Sequence, residues 1–101
     1  MPSEKISDID DEALAMVEIM AGTGFEPGEI AEVLEIDESA FLQAFKDKQS
    51  KIHKRYRKGF LQSQVKLRQR IFKDAGFGSS PAQGLAKKIM EEMEFKLKNY
   101  E

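Results

Sequence analysis

The sequence predicts an all-α fold. Apolar residues recur at spacings of three and four through most of its 101 residues, no segment alternates apolar and polar as a half-buried strand would, and the helix punctuation falls between the periodic stretches. Composition agrees. Tryptophan is absent, prolines number three, and Ala, Glu, Lys, Leu, Ile and Gln dominate, residues that favour helices. The expected organisation is a three-helix head over residues 1–47, then a long helix and a C-terminal helix folding back on it as a hairpin over residues 48–101. No internal repeat of useful length is present.

Ser7 to Asp11 is rich in N-capping side chains, and its acids suit the positive end of a helix dipole. Leu14, Val17, Ile19 and Met20, with Ala13 and Ala21, then give a first helix from about Ile9 to Ala21, ended by Gly22 and Gly24. Pro27 stands where a first-turn proline belongs. Ile30, Ala31, Val33 and Leu34 form the inner stripe of a short second helix, whose cap, Glu26, is a poor choice beside Ser or Asp. After a turn at Glu35 and Ile36, Asp37 caps a third helix with Ala40, Phe41, Ala44 and Phe45 facing inward.

From about Lys48 to Ala75 only Gly59 interrupts the pattern, and Ile52, Tyr56, Phe60, Val65, Leu67, Ile71 and Phe72 keep helical spacing. The reading is one helix of roughly 40 Å, with Gly59 marking either a kink or a close contact with another helix. Gly76 and Gly78 close it. Ser80, Pro81 and Gln83 open the last helix as a capping box, and Ala82, Leu85, Ala86, Ile89, Met90, Met93 and Leu97 form its stripe to about Asn99.

Absence of cysteine excludes disulfides, thiolate metal sites and cysteine nucleophiles, and fits a reducing compartment. No apolar run approaches the roughly 18 residues of a membrane span, and the acidic start is unlike a signal peptide, so the expectation is a soluble cytoplasmic protein without membrane contact. A chain this short buries only about two thirds of its unfolded surface, which makes oligomerisation a natural supplement.

Charge is sorted by position. Residues 1–45 carry −11, residues 46–73 carry +10 and the remainder −1, so the net charge of −2 conceals a strong dipole. Such asymmetry points to contact with a polyanion, or to acidic and basic surfaces meeting between subunits.

The second and third helices have the spacing of a helix-turn-helix, with the small Ala31 where they cross and Ile30, Leu34, Ile36 and Phe41 behind it. The pattern G-F-x-P-x-E-I-A-x-x-L-x-I-D from Gly24 to Asp37, then a long basic helix, then G-S-S-P-A-Q from Gly78 to Gln83, resembles small subunits of tailed-phage terminases. The resemblance spans about Asp11 to Met93 and rests on the order of its motifs. It implies a ring-forming, non-enzymatic DNA-packaging factor, working in the bacterial host cytoplasm, that recognises viral double-stranded DNA and hands it to a large terminase subunit carrying the ATPase and nuclease. Two other classes compete with it: a helix-turn-helix transcriptional regulator, and a structural interaction module that binds no nucleic acid.

Two departures bear on DNA contact. The turn glycine of many DNA-binding helix-turn-helix motifs is Glu35 here, read as asking nothing forbidden of the backbone. The would-be recognition helix, Glu38 to Asp47, offers Ser39, Gln43 and Lys46 with one cation among them, whereas phosphate contacts by Lys and Arg dominate affinity. The basic stretch is the better electrostatic candidate: Lys48, Lys51, Lys54, Arg55 and Lys58 are spaced to share one helix face. Contact with a polyanion ranks first for that face, contact with an acidic neighbouring subunit second and mere solvation last, and the first two can coexist. Phe60, Leu61, Val65, Phe72, Ile89 and Met93 are expected in an oligomer interface or in the hairpin core.

No catalytic residues are expected. His53 is the only histidine, no Ser-His-Asp or paired-histidine set surrounds it, and a solvated or phosphate-facing role is expected for it. Asp8, Asp10, Asp11 and Glu12 are explained by helix capping without a metal, and no phosphate-binding glycine loop is present, so neither metal nor cofactor is expected.

Overall fold

The structure, a computed structural model, describes residues 9–101. Those residues form five α-helices and no strand: α1 (Asp11–Gly22), α2 (Pro27–Leu34), α3 (Glu38–Lys46), α4 (Lys51–Gly76) and α5 (Ser80–Leu97), followed by a 3-10 turn, Lys98–Tyr100. The chain divides into two compact units inside α4, one ending at Gln64 and one spanning Val65–Glu101. The sequence expectation put a boundary at residue 47, before the long helix. The first turns of α4 complete the head's core, because Ile52 is 1% exposed within it and Tyr56 packs against it.

In the first unit, Asp10 caps α1, its Oδ1 accepting from the Ala13 N–H at 2.8 Å. The capping expected of Ser7 and Asp8 lies outside the described residues. Leu14, Val17 and Met20 enter the core, while Ile19, expected to face inward, is 58% exposed. Ile30, Ala31, Ile36 and Phe41 meet them from α2, the following turn and α3. Burying each large side chain contributes about 1.5–3 kcal/mol. Val33 turns outward, so the inner stripe of α2 is narrower than expected.

The helix ends carry the local specification. Glu26 lacks a strong capping side chain, yet its own N–H donates to Glu29 Oε1 at 3.0 Å, satisfying one group at the start of α2. Asp37 Oδ2 accepts from the Ala40 N–H at 3.0 Å and starts α3. Glu35 takes the left-handed conformation, φ 56° and ψ 39°. The expectation that this residue asks nothing forbidden of the backbone is therefore corrected: a β-carbon is disfavoured there.

The chain also breaks where continuity was expected. Asp47 to Ser50 form a turn, the Ser50 N–H donating to the Asp47 carbonyl at 3.0 Å, and α4 starts only at Lys51. Ser50 Oγ accepts from the His53 N–H at 3.0 Å and donates to the Ala44 carbonyl, joining the start of α4 to α3. Farther along, α4 passes through Gly59 without interruption, and a β-carbon there would overlap the Glu18 carbonyl. Gly59 is thus a close helix contact.

In the second unit, α4 ends at Gly76 and the turn after it holds Gly78 at φ 96°, and Ser79 caps α5, its Oγ accepting from the Ala82 N–H at 3.3 Å. The cap is one residue earlier than the expected Ser80. Gln83, expected in a capping box, instead donates from Nε2 to the Ala75 carbonyl at 3.2 Å. Ala82 and Ala86 are buried, while Leu85, Met90, Met93 and Leu97 are at least 42% exposed. The apolar stripe of α5 is real, but most of it faces away from the unit's own interior.

Candidate functional site

α3, the Asp47–Ser50 turn and the first half of α4 carry the cations that the sequence singles out. Ser39, Gln43 and Lys46 are exposed and spaced by four and three residues, so they line one outer stripe of α3. Lys48 is exposed but sits in the turn, and it is corrected from the α4 face on which it was expected. Lys51 and Lys54 are exposed on α4 with Arg57 and Lys58. Among the described residues no carboxylate pairs with Lys46, Lys48, Lys51, Lys54 or Arg57.

Arg55 and Lys58 differ from that group. Glu18 of α1 places Oε1 3.3 Å from Arg55 Nε and 3.5 Å from Lys58 Nζ. Acidic and basic blocks of the sequence therefore meet inside one chain, at the crossing where Gly59 lets α4 approach α1. Glu18 Oε1 and Arg55 Nε are both buried, and neither makes a hydrogen bond among the described residues. The two atoms are within ion-pair distance, but the Arg55 N–H is not directed at the oxygen.

His53, expected to be solvated or phosphate-facing, is half-buried and has a structural partner at one ring nitrogen. Its Nδ1 lies 2.8 Å from the Phe45 carbonyl, and since a carbonyl only accepts, that nitrogen carries the proton. Phe45 also stacks edge-on with Tyr56 at 4.9 Å between centroids, and the Tyr56 hydroxyl donates to the Phe25 carbonyl at 3.1 Å. These contacts fix the start of α4 against α3 and the α1–α2 turn, and so fix the cations that project from it.

The expected interface residues lie on the surface. Phe60 and Leu61 are 38% and 46% exposed in the first unit; in the second, Val65, Phe72 and Met93 are exposed and Ile89 is half-buried. Sequence reasoning missed Glu18 and Ser50. Glu18 has no local signal, since its partners are far along the chain. Ser50 was legible as a capping residue directly before the helix. Among the described residues no group of three or more His, Asp or Glu side chains is placed to hold a metal, and no helix is long and apolar enough to cross a membrane. No protein-family model, curated protein or solved structure matches the chain.

Proposed function

We propose that this chain is an oligomeric double-stranded-DNA-binding adaptor of the terminase small-subunit type, a DNA-packaging factor that presents DNA to a large terminase subunit. The single observation that carries the DNA part is the set of exposed cations without a described acidic partner, Lys46, Lys48, Lys51, Lys54 and Arg57, on the same unit as the polar α3 stripe of Ser39 and Gln43. In this reading α2 and α3 form a helix-turn-helix, whose outer stripe meets the duplex while α4 supplies phosphate contacts, and α4 with α5 forms a hairpin that builds a ring. The order of sequence motifs from Gly24 to Gln83 supports the packaging assignment. The apolar side chains left exposed on α4 and α5 support assembly.

The α3 stripe also favours a second reading, a helix-turn-helix transcriptional regulator, because Gln, Ser and Lys are side chains that read base edges. Two measurements separate the possibilities. Duplex binding titrated over a salt series should weaken with a slope of about −0.9 per phosphate contact, and light scattering should find a ring of higher order where a regulator gives a two-fold dimer. Salt-independent binding, or none at low salt, sinks both DNA readings and leaves an interaction module; a monomer or dimer sinks packaging.

A further inference from the structure

We infer that Glu18 competes with bound phosphate for Arg55 and Lys58, so that one internal carboxylate sets how tightly, and with what salt dependence, the head holds a nucleic-acid backbone. The inference rests on the DNA-binding reading. Its basis is the geometry of a single oxygen, Glu18 Oε1, set 3.3 Å from Arg55 Nε and 3.5 Å from Lys58 Nζ. Two cations share one carboxylate, leaving positive charge in excess.

The acid and the cations differ in freedom. The Glu18 backbone touches Gly59, with the glycine's would-be β-carbon only 2.9 Å from the Glu18 α-carbon, so the carboxylate projects on a short stem from a pinned helix. Arg55 and Lys58 are on long stems, and the Lys58 side chain is 57% exposed. The contact with Arg55 is also geometrically poor: both Oε1 and Nε are buried without a hydrogen bond. A backbone phosphate carries the same single charge as Glu18 but is free in its approach, so it can offer Arg55 the two parallel hydrogen bonds that the fixed carboxylate does not make. Glu18 thus acts as a weak resident anion, displaced when a phosphate arrives and reoccupying the cations when it leaves. Its cost falls on binding, so Lys54, with no described partner, contributes more to affinity than Lys58 does.

The test is a salt series of duplex-DNA binding, read by fluorescence anisotropy, for the full chain and for Glu18→Gln, Lys58→Ala, Lys54→Ala and the Glu18→Gln/Lys58→Ala pair. Glu18→Gln should tighten binding at low salt, on the order of tenfold, and steepen the logarithmic salt slope by about 0.9 for each further phosphate that the freed cations neutralise. Lys58→Ala should cost little alone and severalfold in the Glu18→Gln background. Equal affinity and slope for the parent and Glu18→Gln would overturn the inference while the DNA reading stands; absence of binding by every variant would overturn both. Should Glu18→Gln fail to fold by circular dichroism, the remaining single variants decide. A smaller loss for Lys58→Ala than for Lys54→Ala supports the inference, and an equal or larger loss overturns it.

Discussion

Gly59 lies against the backbone of Glu18 so closely that a β-carbon on it would stand 2.8 Å from the Glu18 carbonyl carbon. Gly22 belongs to the same crossing, its own β-carbon position being 3.0 Å from the Gly59 carbonyl oxygen. The opposing atoms are backbone and cannot rotate away. Gly59→Ala should therefore destabilise by about 1–3 kcal/mol through overpacking, despite the roughly 1 kcal/mol that alanine contributes in a helix interior. Gly84, inside α5 with nothing within 4 Å of its β-carbon position, is the control: Gly84→Ala should stabilise or be neutral. Urea unfolding of both variants checks the sign, and a stabilised Gly59→Ala would remove the close-contact account.

Three helices end in the same way, but with different residues. The Phe25 N–H donates to the Met20 carbonyl, Ile36 to Ala31 and Ser79 to Asp74, each at 3.0–3.1 Å, across a residue in the left-handed region. That residue is Gly24 at φ 93°, Glu35 at φ 56° and Gly78 at φ 96°. Only glycine occupies this position without steric cost. Glu35→Gly should therefore stabilise the head by about 0.5–1 kcal/mol, the relief of left-handed strain offset in part by the entropy glycine loses on folding. Glu35→Val should do the reverse. Thermal unfolding midpoints that rank these variants otherwise would contradict the account.

The contrast shows what the sequence made legible. Helix number and the buried apolar set follow from periodicity, so Leu14, Val17, Ile30, Phe41 and Ile52 were all readable. Glu35 was not, because its backbone conformation is imposed by the packing of Ile36 behind it, against the preference of glutamate. Ile19 and Val33 face outward against expectation for a related reason: α1 and α2 have only a narrow buried face, while their apolar residues spread wider. Of the candidate site, the cations were plain and their partners were not. The contact of Glu18 with Arg55 and Lys58 depends on a helix crossing that local patterns cannot encode.

Ser50 tests how the cation-bearing segment is anchored. Its hydroxyl accepts from the His53 N–H and donates to the Ala44 carbonyl, so it both caps α4 and ties that helix to α3. Ser50→Ala should cost about 1–2 kcal/mol, because the cap is lost together with the hydroxyl's bond to the Ala44 carbonyl, which keeps only the Asp47 N–H. If α4's start positions the phosphate contacts, duplex affinity should fall in the same variant at temperatures where circular dichroism shows it folded. A loss of stability with unchanged affinity would separate the anchor from the binding surface.

Assembly should depend on side chains that the single chain leaves uncovered. In the second unit only Ala82 and Ala86 are buried among the apolar residues, while Val65 is 55%, Phe72 42% and Met93 42% exposed. Two small buried side chains contribute little against the backbone ordering cost of about 1–2 kcal/mol per residue. Covering large side chains between copies is the natural remedy, at roughly 25 cal/mol for each Å² of apolar surface removed from water. Combined Val65→Ser, Phe72→Ser and Met93→Ser substitutions should therefore shift the proposed oligomer to monomer in multi-angle light scattering. Burial in the head does not involve these residues, so its cooperative unfolding should survive, monitored through Tyr56 near-ultraviolet dichroism. An oligomer that persists with all three replaced would move the interface off these positions, and a parent chain that is already monomeric would remove the ring itself.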